Sequence, residues 1–289
     1  MQWEGREESE NVEDRRGTGA RNLAVGGGAS VIVVLLAMVF GVDPQQLAKF
    51  LPQGGGDPGQ QQVDGPRDPA EEKLASFTKV ILHDTEVVWE DLFTKAGERY
   101  TKPTLVLFSG QVESACGQAD AAVGPFYCPG DSKVYIDTSF YTVMEKRLGI
   151  RGNFPRAYVV AHEVGHHVQR LLRYSDIVDQ VRRTGDKVKS NQMSVRLELQ
   201  ADYLAGVWAH HANKLYPGKF LEPGDIDNAI QAAHQIGDDH LQSEATGRVR
   251  PDSFTHGTSA QRMKWFKRGF ELGDVGRARD LFKMEYGDL

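Results

Sequence analysis

The sequence predicts an α+β fold preceded by one membrane-crossing helix. Three features carry that expectation: an uncharged apolar run at Leu23–Val42, short β-type runs confined to residues 104–137, and long helical patterns on either side of those runs. Strands that are grouped and followed by helices, rather than alternating with them, point to α+β.

The 289 residues are 40% hydrophobic and 26% charged, ordinary for a chain that can bury a core. The net charge of −6 is mild and no basic patch is concentrated anywhere, which argues against nucleic acid as a partner.

Residues 1–22 are polar and carry both charge signs, including Arg6, Arg15, Arg16 and Arg21. Such a segment buries too little apolar surface to fold alone and is expected to be a cytoplasmic N-terminal tail. Leu23–Val42 holds no charged residue, and twenty residues of helix rise about 30 Å, the thickness of a bilayer core. The run ends Met38-Val39-Phe40-Gly41-Val42-Asp43, without a small-x-small pair, so an uncleaved anchor fits better than a signal peptide. Arginines precede it and the first basic residue after it is Lys49, which puts the N-terminus in the cytoplasm and everything later in the periplasmic or extracellular space. Membrane lipid is then one partner. Residues 43–70, rich in Gly, Gln and Pro, read as a flexible linker, leaving 71–289 as the folded domain.

Within that domain, Glu71–Ala96 has helical apolar spacing, and Thr104–Phe108 reads as a buried strand. Gly124–Cys128, a turn at Pro129–Ser132, and Lys133–Asp137 read as strand, turn and strand. Two long helices are expected at about Arg156–Tyr174 and Ser190–Asn213, joined by the polar segment Ser175–Lys189 with Gly185 as its break. The remainder reads as mainly helical, interrupted at Pro217, Pro223 and Pro251.

The chemistry concentrates at His162-Glu163-Val164-Gly165-His166. Positions i and i+4 of a helix share a face, so both imidazoles can reach one ion, and Zn²⁺ accepts His nitrogen at about 2.0–2.1 Å. Glu163, one residue on, can reach a water at the metal without being a ligand and would be the general base. A third ligand is expected from Glu198, with Asp202 one turn later on the same face. Asp202 can accept the second N–H of a ligand histidine and fix its tautomer. One Zn²⁺ per chain follows. An acidic pair on a solvated helix face is the alternative for Glu198 and Asp202. His256 or Arg262 could donate to the oxyanion of a peptidase, with a structural role open for each, and His234 is a weaker candidate than His256. His167 points about 100° away from His166 and is not expected to be a ligand. His83, His210, His211 and His240 read as surface or capping residues.

Cys116 and Cys128 are the only cysteines, too few for a disulfide framework and without the histidine pair of a zinc site. Outside the cytosol a Cys116–Cys128 bridge closing a surface loop is favoured; two unrelated buried thiols are the alternative.

At these residues the chain resembles the bacterial family of putative neutral zinc metallopeptidases of the YpfJ type. The likeness runs through Asn11-Val-Glu-Asp-Arg-Arg16, Ala115-Cys116-Gly117-Gln118, Gly124-Pro-Phe-Tyr-Cys-Pro129 and Ala161-His-Glu-Val-Gly-His-His-Val-Gln169. It continues through Val195-Arg-Leu-Glu-Leu-Gln-Ala-Asp202, Gly237-Asp-Asp239 and Pro251-Asp-Ser-Phe-Thr-His-Gly257. Glu198-x-x-x-Asp202 is similar to the third-ligand motif of thermolysin-like and HtpX-like gluzincins, and Thr255-His256…Arg262 resembles a segment of the HtpX-like proteases. The resemblance implies a zincin-like domain with a small sheet and active-site helices. It implies a membrane-anchored zinc endopeptidase acting on protein or peptide outside the cytoplasm. A metal-bound but proteolytically silent envelope adaptor is the alternative, although such a protein has no chemical need for Glu163.

Overall fold

The computed structural model describes residues 1–17, 68–120, 124–146, 148–235, 239 and 251–289. The expected membrane helix at 23–42 and nearly all of the linker at 43–70 lie outside them. No helix among the described residues is long and apolar enough to cross a membrane.

Helices and strands are both present and segregated, as α+β requires. The strands are β1 (Val12–Asp14), β2 (Thr104–Phe108), β3 (Gln111–Ser114), β4 (Gly117–Asp120), β5 (Phe126–Cys128) and β6 (Lys133–Asp137). The helices are α1 (Pro69–Lys95), α2 (Ser139–Lys146), α3 (Asn153–Leu171), α4 (Tyr174–Arg182), α5 (Lys187–Leu215), α6 (Asp225–Gln235) and α7 (Ser259–Leu272). Helix α1 begins where Asp68 accepts the Ala70 N–H and Pro69 occupies the first turn, with Glu71 and Glu72 against the positive end of the dipole.

The main sheet has the order β1-β2-β6-β5, with β1, β2 and β6 parallel and β5 antiparallel on the edge. Leu105, Leu107, Val134 and Ile136 face the helices, while Val106, Phe108 and Tyr135 face a second cluster with Val112 and Cys128. Burial on both faces explains why these strands read as unbroken apolar runs without a polar alternation. The second face is covered by the β3–β4 hairpin, which sequence patterning does not reveal: Gln111, Glu113, Gln118 and Asp120 dilute its apolar signal.

Helix α5 runs through the centre between α3 and α7. It starts at Lys187, earlier than Ser190, because Asp186 caps it by accepting the Lys189 N–H at 3.1 Å. The preceding polar segment is largely helical as α4, with an exposed outer face that masked its periodicity. Two glycines set the contact of α5 with α7. A Cβ on Gly206 would collide with the Phe266 carbonyl, and one on Gly269 with the Tyr203 carbonyl. Gly165 performs the same service between α3 and α5, where a Cβ would lie 3.0 Å from the Ala201 carbonyl oxygen.

The N-terminal segment departs from expectation. Residues 1–17 are not a tail separate from the domain, and 71–289 is not the whole domain. β1 adds to the exposed edge of β2 with Val12 opposite Leu105 and Asp14 opposite Leu107. Trp3 packs edge-on against Phe77 of α1 at 5.4 Å, and Met1 is buried with its ammonium 2.6 Å from Asp225. Ser9 and Asn11 both donate to Glu86 at 2.8 Å. Polar composition does prevent this stretch from folding alone, but the domain supplies the missing partners.

Arg6 lies 2.9 Å from the fully buried Asp84, and its guanidinium covers the rings of Tyr216 and Phe220 at 4.7 and 5.5 Å. The contact is an ion pair rather than an aligned hydrogen bond. Burial raises the Asp84 carboxyl to about 6 although Arg6 pulls it down. Because that value exceeds the 3.8 of a free Asp, the folded state binds the extra proton, so this group's contribution to stability falls as pH rises from about 4 through 6. Arg6→Ala leaves a buried carboxylate unpaired and is expected to destabilise the protein by about 3 kcal/mol at neutral pH. Urea unfolding should show a smaller loss at pH 5, where Asp84 takes up a proton, than at pH 8.

Candidate metal centre

Helix α3 brings His162 and His166 to one face, and α5 crosses it at Gly165 and Ala201, carrying Glu198 and Asp202 to the same place. One ligand atom from each of His162, His166 and Glu198 can be chosen so that all lie within 4.8 Å of one another. Glu198 Oε2 is 3.2 Å from His162 Nε2, and Oε1 is 3.5 Å from His166 Nε2. Tetrahedral bonds of the usual Zn–N and Zn–O lengths separate neighbouring ligand atoms by about 3.3 Å. A two-histidine, one-carboxylate donor set at this spacing therefore fits zinc.

Behind the ligands lies a hydrogen-bonded support. Asp202 has no exposure to water. Its Oδ1 accepts from His162 Nδ1 at 2.8 Å, from the Tyr158 hydroxyl at 2.5 Å and from Arg262 Nη2 at 3.0 Å, while Oδ2 accepts from Arg262 Nε at 2.8 Å. Placing the His162 proton on Nδ1 leaves the Nε2 lone pair directed toward Glu198 and the metal position. Arg262 is 3% exposed and holds both oxygens of Asp202, which gives it a structural role beneath the site.

His166 has a different support. Its Nδ1 lies 2.8 Å from Oε1 of Gln169, whose amide donates to the Leu197 carbonyl of α5 at 2.6 Å. One fully buried amide thus links a candidate ligand on α3 to the residue preceding the candidate ligand on α5. Gln169 and Tyr158 escape sequence reasoning because both lie one turn from a motif residue on a strongly apolar helix. The i, i+3 step from His166 to Gln169 and the i, i+4 step from Tyr158 to His162 are the signals that could have found them.

Charge follows geometry. Burial opposes a proton on His162, but the charge and hydrogen bond of Asp202, with Glu198, outweigh it and raise the imidazole to about 10. His166 is also raised, by Glu198 against the opposing effect of burial. Burial likewise pushes Glu198 up, yet the two histidines hold it well below the usual carboxylate range. Glu163 is 8% exposed, and burial raises it against the opposing charges of His162 and His166.

His167 points away, as expected, with its nitrogens 2.6 Å from the Thr101 carbonyl and 3.1 Å from the Tyr127 hydroxyl. His210 and His211 satisfy the carbonyls of Phe270 and Gly273 at the end of α7. His256 lies in the turn before α7, where Gly257 abuts Val195 and Leu199 of α5, and its Nδ1 is 3.1 Å from the Thr255 hydroxyl. The side chain of His234 lies outside the described residues. Cys116 and Cys128 form a disulfide, which ties the hairpin to β5.

The model of the putative neutral zinc metallopeptidase family matches residues 1–280. The chain is 47% identical to the uncharacterized protein YpfJ of Escherichia coli, over 98% of this chain and 99% of that protein. It is 42% identical to the uncharacterized proteins Mb2605 of Mycobacterium bovis and Rv2575 of Mycobacterium tuberculosis, over 66% of this chain and 65% of theirs. No solved structure gives a significant match.

Gln169→Met keeps the volume and removes both hydrogen bonds. It is expected to weaken divalent-metal affinity about 10–100-fold, as loss of an outer support does. Chelator competition would measure this, with far-UV circular dichroism unchanged.

Proposed function

The chain belongs to the putative neutral zinc metallopeptidase family, and we propose that it is a zinc endopeptidase with a zincin-like domain. It would act on protein or peptide outside the cytoplasm and be attached to the membrane through residues 23–42. The observation that carries this reading is the convergence of His162, His166 and Glu198 beside a second buried carboxylate, Glu163, that the donor set does not need. A site built only to hold zinc would want a fourth protein ligand rather than a neighbouring base. The Cys116–Cys128 disulfide supports an oxidising compartment.

Zinc bound to such a set supplies a Lewis acid and lowers the pKa of coordinated water to about 7. Glu163 then takes the proton of the attacking water and passes it to the departing amine. Burial raises its pKa toward the working range of a general base. Asp202, locked by Arg262 and Tyr158, keeps His162 in the tautomer that can ligate. His256, in the turn before α7, is the donor proposed for the tetrahedral oxyanion.

The test uses the full chain, because β1 belongs to the domain. Purified protein should contain one zinc and cleave members of a peptide library. Glu163→Gln should keep the zinc and lose about 10²–10⁴-fold in kcat, whereas His162→Ala, His166→Ala and Glu198→Ala should each lose the metal. Zinc-loaded protein that cleaves nothing would favour the silent adaptor, and loss of zinc in Glu163→Gln would make that residue a ligand.

Metal and proton compete for the same imidazole nitrogens. With His162 raised to about 10 and His166 also raised, zinc must displace protons across the neutral range. Apparent zinc affinity should therefore fall as pH drops from 8 to 6, by roughly tenfold per pH unit for each proton displaced. Titrations in buffers of different ionisation enthalpy would count those protons.

A further inference from the structure

We propose that residues 1–17 and the domain from residue 68 onward lie on the same side of the membrane, rather than on the opposite sides that the charge pattern suggests. This rests on the fold and is independent of the peptidase reading. A single crossing would put about 30 Å of hydrocarbon between residue 17 and residue 68. Strand pairing demands the opposite, because hydrogen-bonded neighbours run about 4.7–4.9 Å apart. β1 pairs with β2 at Val12–Leu105, Glu13–Val106 and Asp14–Leu107, and the Arg15 N–H continues the contact to the Leu107 carbonyl at 2.7 Å.

The pairing is not an isolated contact. Asp84 and Glu86 of α1 are 0% and 2% exposed, and residues 1–17 supply partners to both: Arg6 to Asp84, Ser9 and Asn11 to Glu86. Arg16, 2% exposed, lies 2.6 Å from Asp14 and 3.1 Å from Glu72. Without the segment, two buried carboxylates would lose partners. An edge of β2 lined by fully buried residues would also open to water.

The same contacts account for the charge pattern that suggests a crossing. The positive-inside rule counts arginines that remain at a membrane surface. Arg6 and Arg16 are consumed by carboxylates of the fold, and Arg15 lies beside Glu13. Of the four arginines before the stretch, three are explained by folding alone.

The test is the sidedness of single engineered thiols in the full chain. The native cysteines are joined in a disulfide, so only the introduced thiol reacts. Glu10→Cys and Glu4→Cys report on the N-terminal segment, and Lys187→Cys on the domain; all three positions are exposed. Spheroplasts would be treated with a membrane-impermeant maleimide before and after lysis, with thermal unfolding checked for each variant. Equal labelling at all three positions supports the proposal, whether before lysis or only after it. Labelling only after lysis would count against the compartment proposed above and leave the shared side intact. Two N-terminal positions guard against one failing to fold. Labelling of the N-terminal and domain thiols from opposite sides would overturn the proposal.

Discussion

The buried charge of Asp202 is the constraint around which the helices of the candidate metal centre are arranged. A carboxylate without access to water is tolerable only when hydrogen-bonded and paired. Asp202 is satisfied by four contacts from three side chains, Tyr158 and His162 on α3 and Arg262 on α7. Those contacts require three helices to meet at one point. The glycines at 165, 206 and 269 permit that meeting by removing side chains from the two crossings. Once α3 and α5 are in register at Gly165 and Ala201, Glu198 lies one turn before Asp202 and faces both imidazoles. The ligand geometry is thus a by-product of stabilising one charge.

What could be read from the sequence was whatever carries a local period. The strands at 104–108 and 133–137 stand out because both of their faces are buried. The i, i+4 spacing of His162 with His166 and of Glu198 with Asp202 names candidates that the structure brings to one point. Features that depend on distant partners were not legible. Val12-Glu13-Asp14 has no strand signature of its own and becomes a strand only because β2 offers a free edge. Arg262 suits an oxyanion donor or a salt bridge equally well until Asp202 is found beneath it. Gln169 gives no signal of charge or spacing beyond one helical turn.

The N-terminal segment shows how composition can mislead about domain boundaries. Polarity and balanced charge describe a segment that cannot fold alone, and that inference is sound. It does not follow that the segment is outside the fold. Asp84 and Glu86 sit on an otherwise apolar helix face, where they would be costly unless something opposite supplied Arg and hydroxyl donors. A buried acid on a core face is therefore a trace of a missing partner elsewhere in the chain. Residues 1–17 therefore pack with the residues from 68 onward as part of one fold.

A second chain of contacts runs from the disulfide to α3. Closing a loop of this size stabilises a fold by about 3 kcal/mol in the chain-entropy picture, but here the position matters more than the amount. Cys128 ends β5, the short edge strand, which is held in the sheet only by three pairs with β6. The adjacent residue, Tyr127, has its hydroxyl 3.1 Å from His167 Nδ1 of α3. Three residues of edge strand would have little reason to keep that alignment by ladder bonds alone. The disulfide fastens one end of β5 to the hairpin, and His167 fastens its middle to α3, with a further bond to the Thr101 carbonyl at 2.6 Å. β5 is thus fastened to the hairpin and to α3, while the candidate ligands His162 and His166 are held by Asp202 and Gln169. His167, next to His166 on α3, therefore ties the edge of the sheet to the helix that carries the candidate histidines.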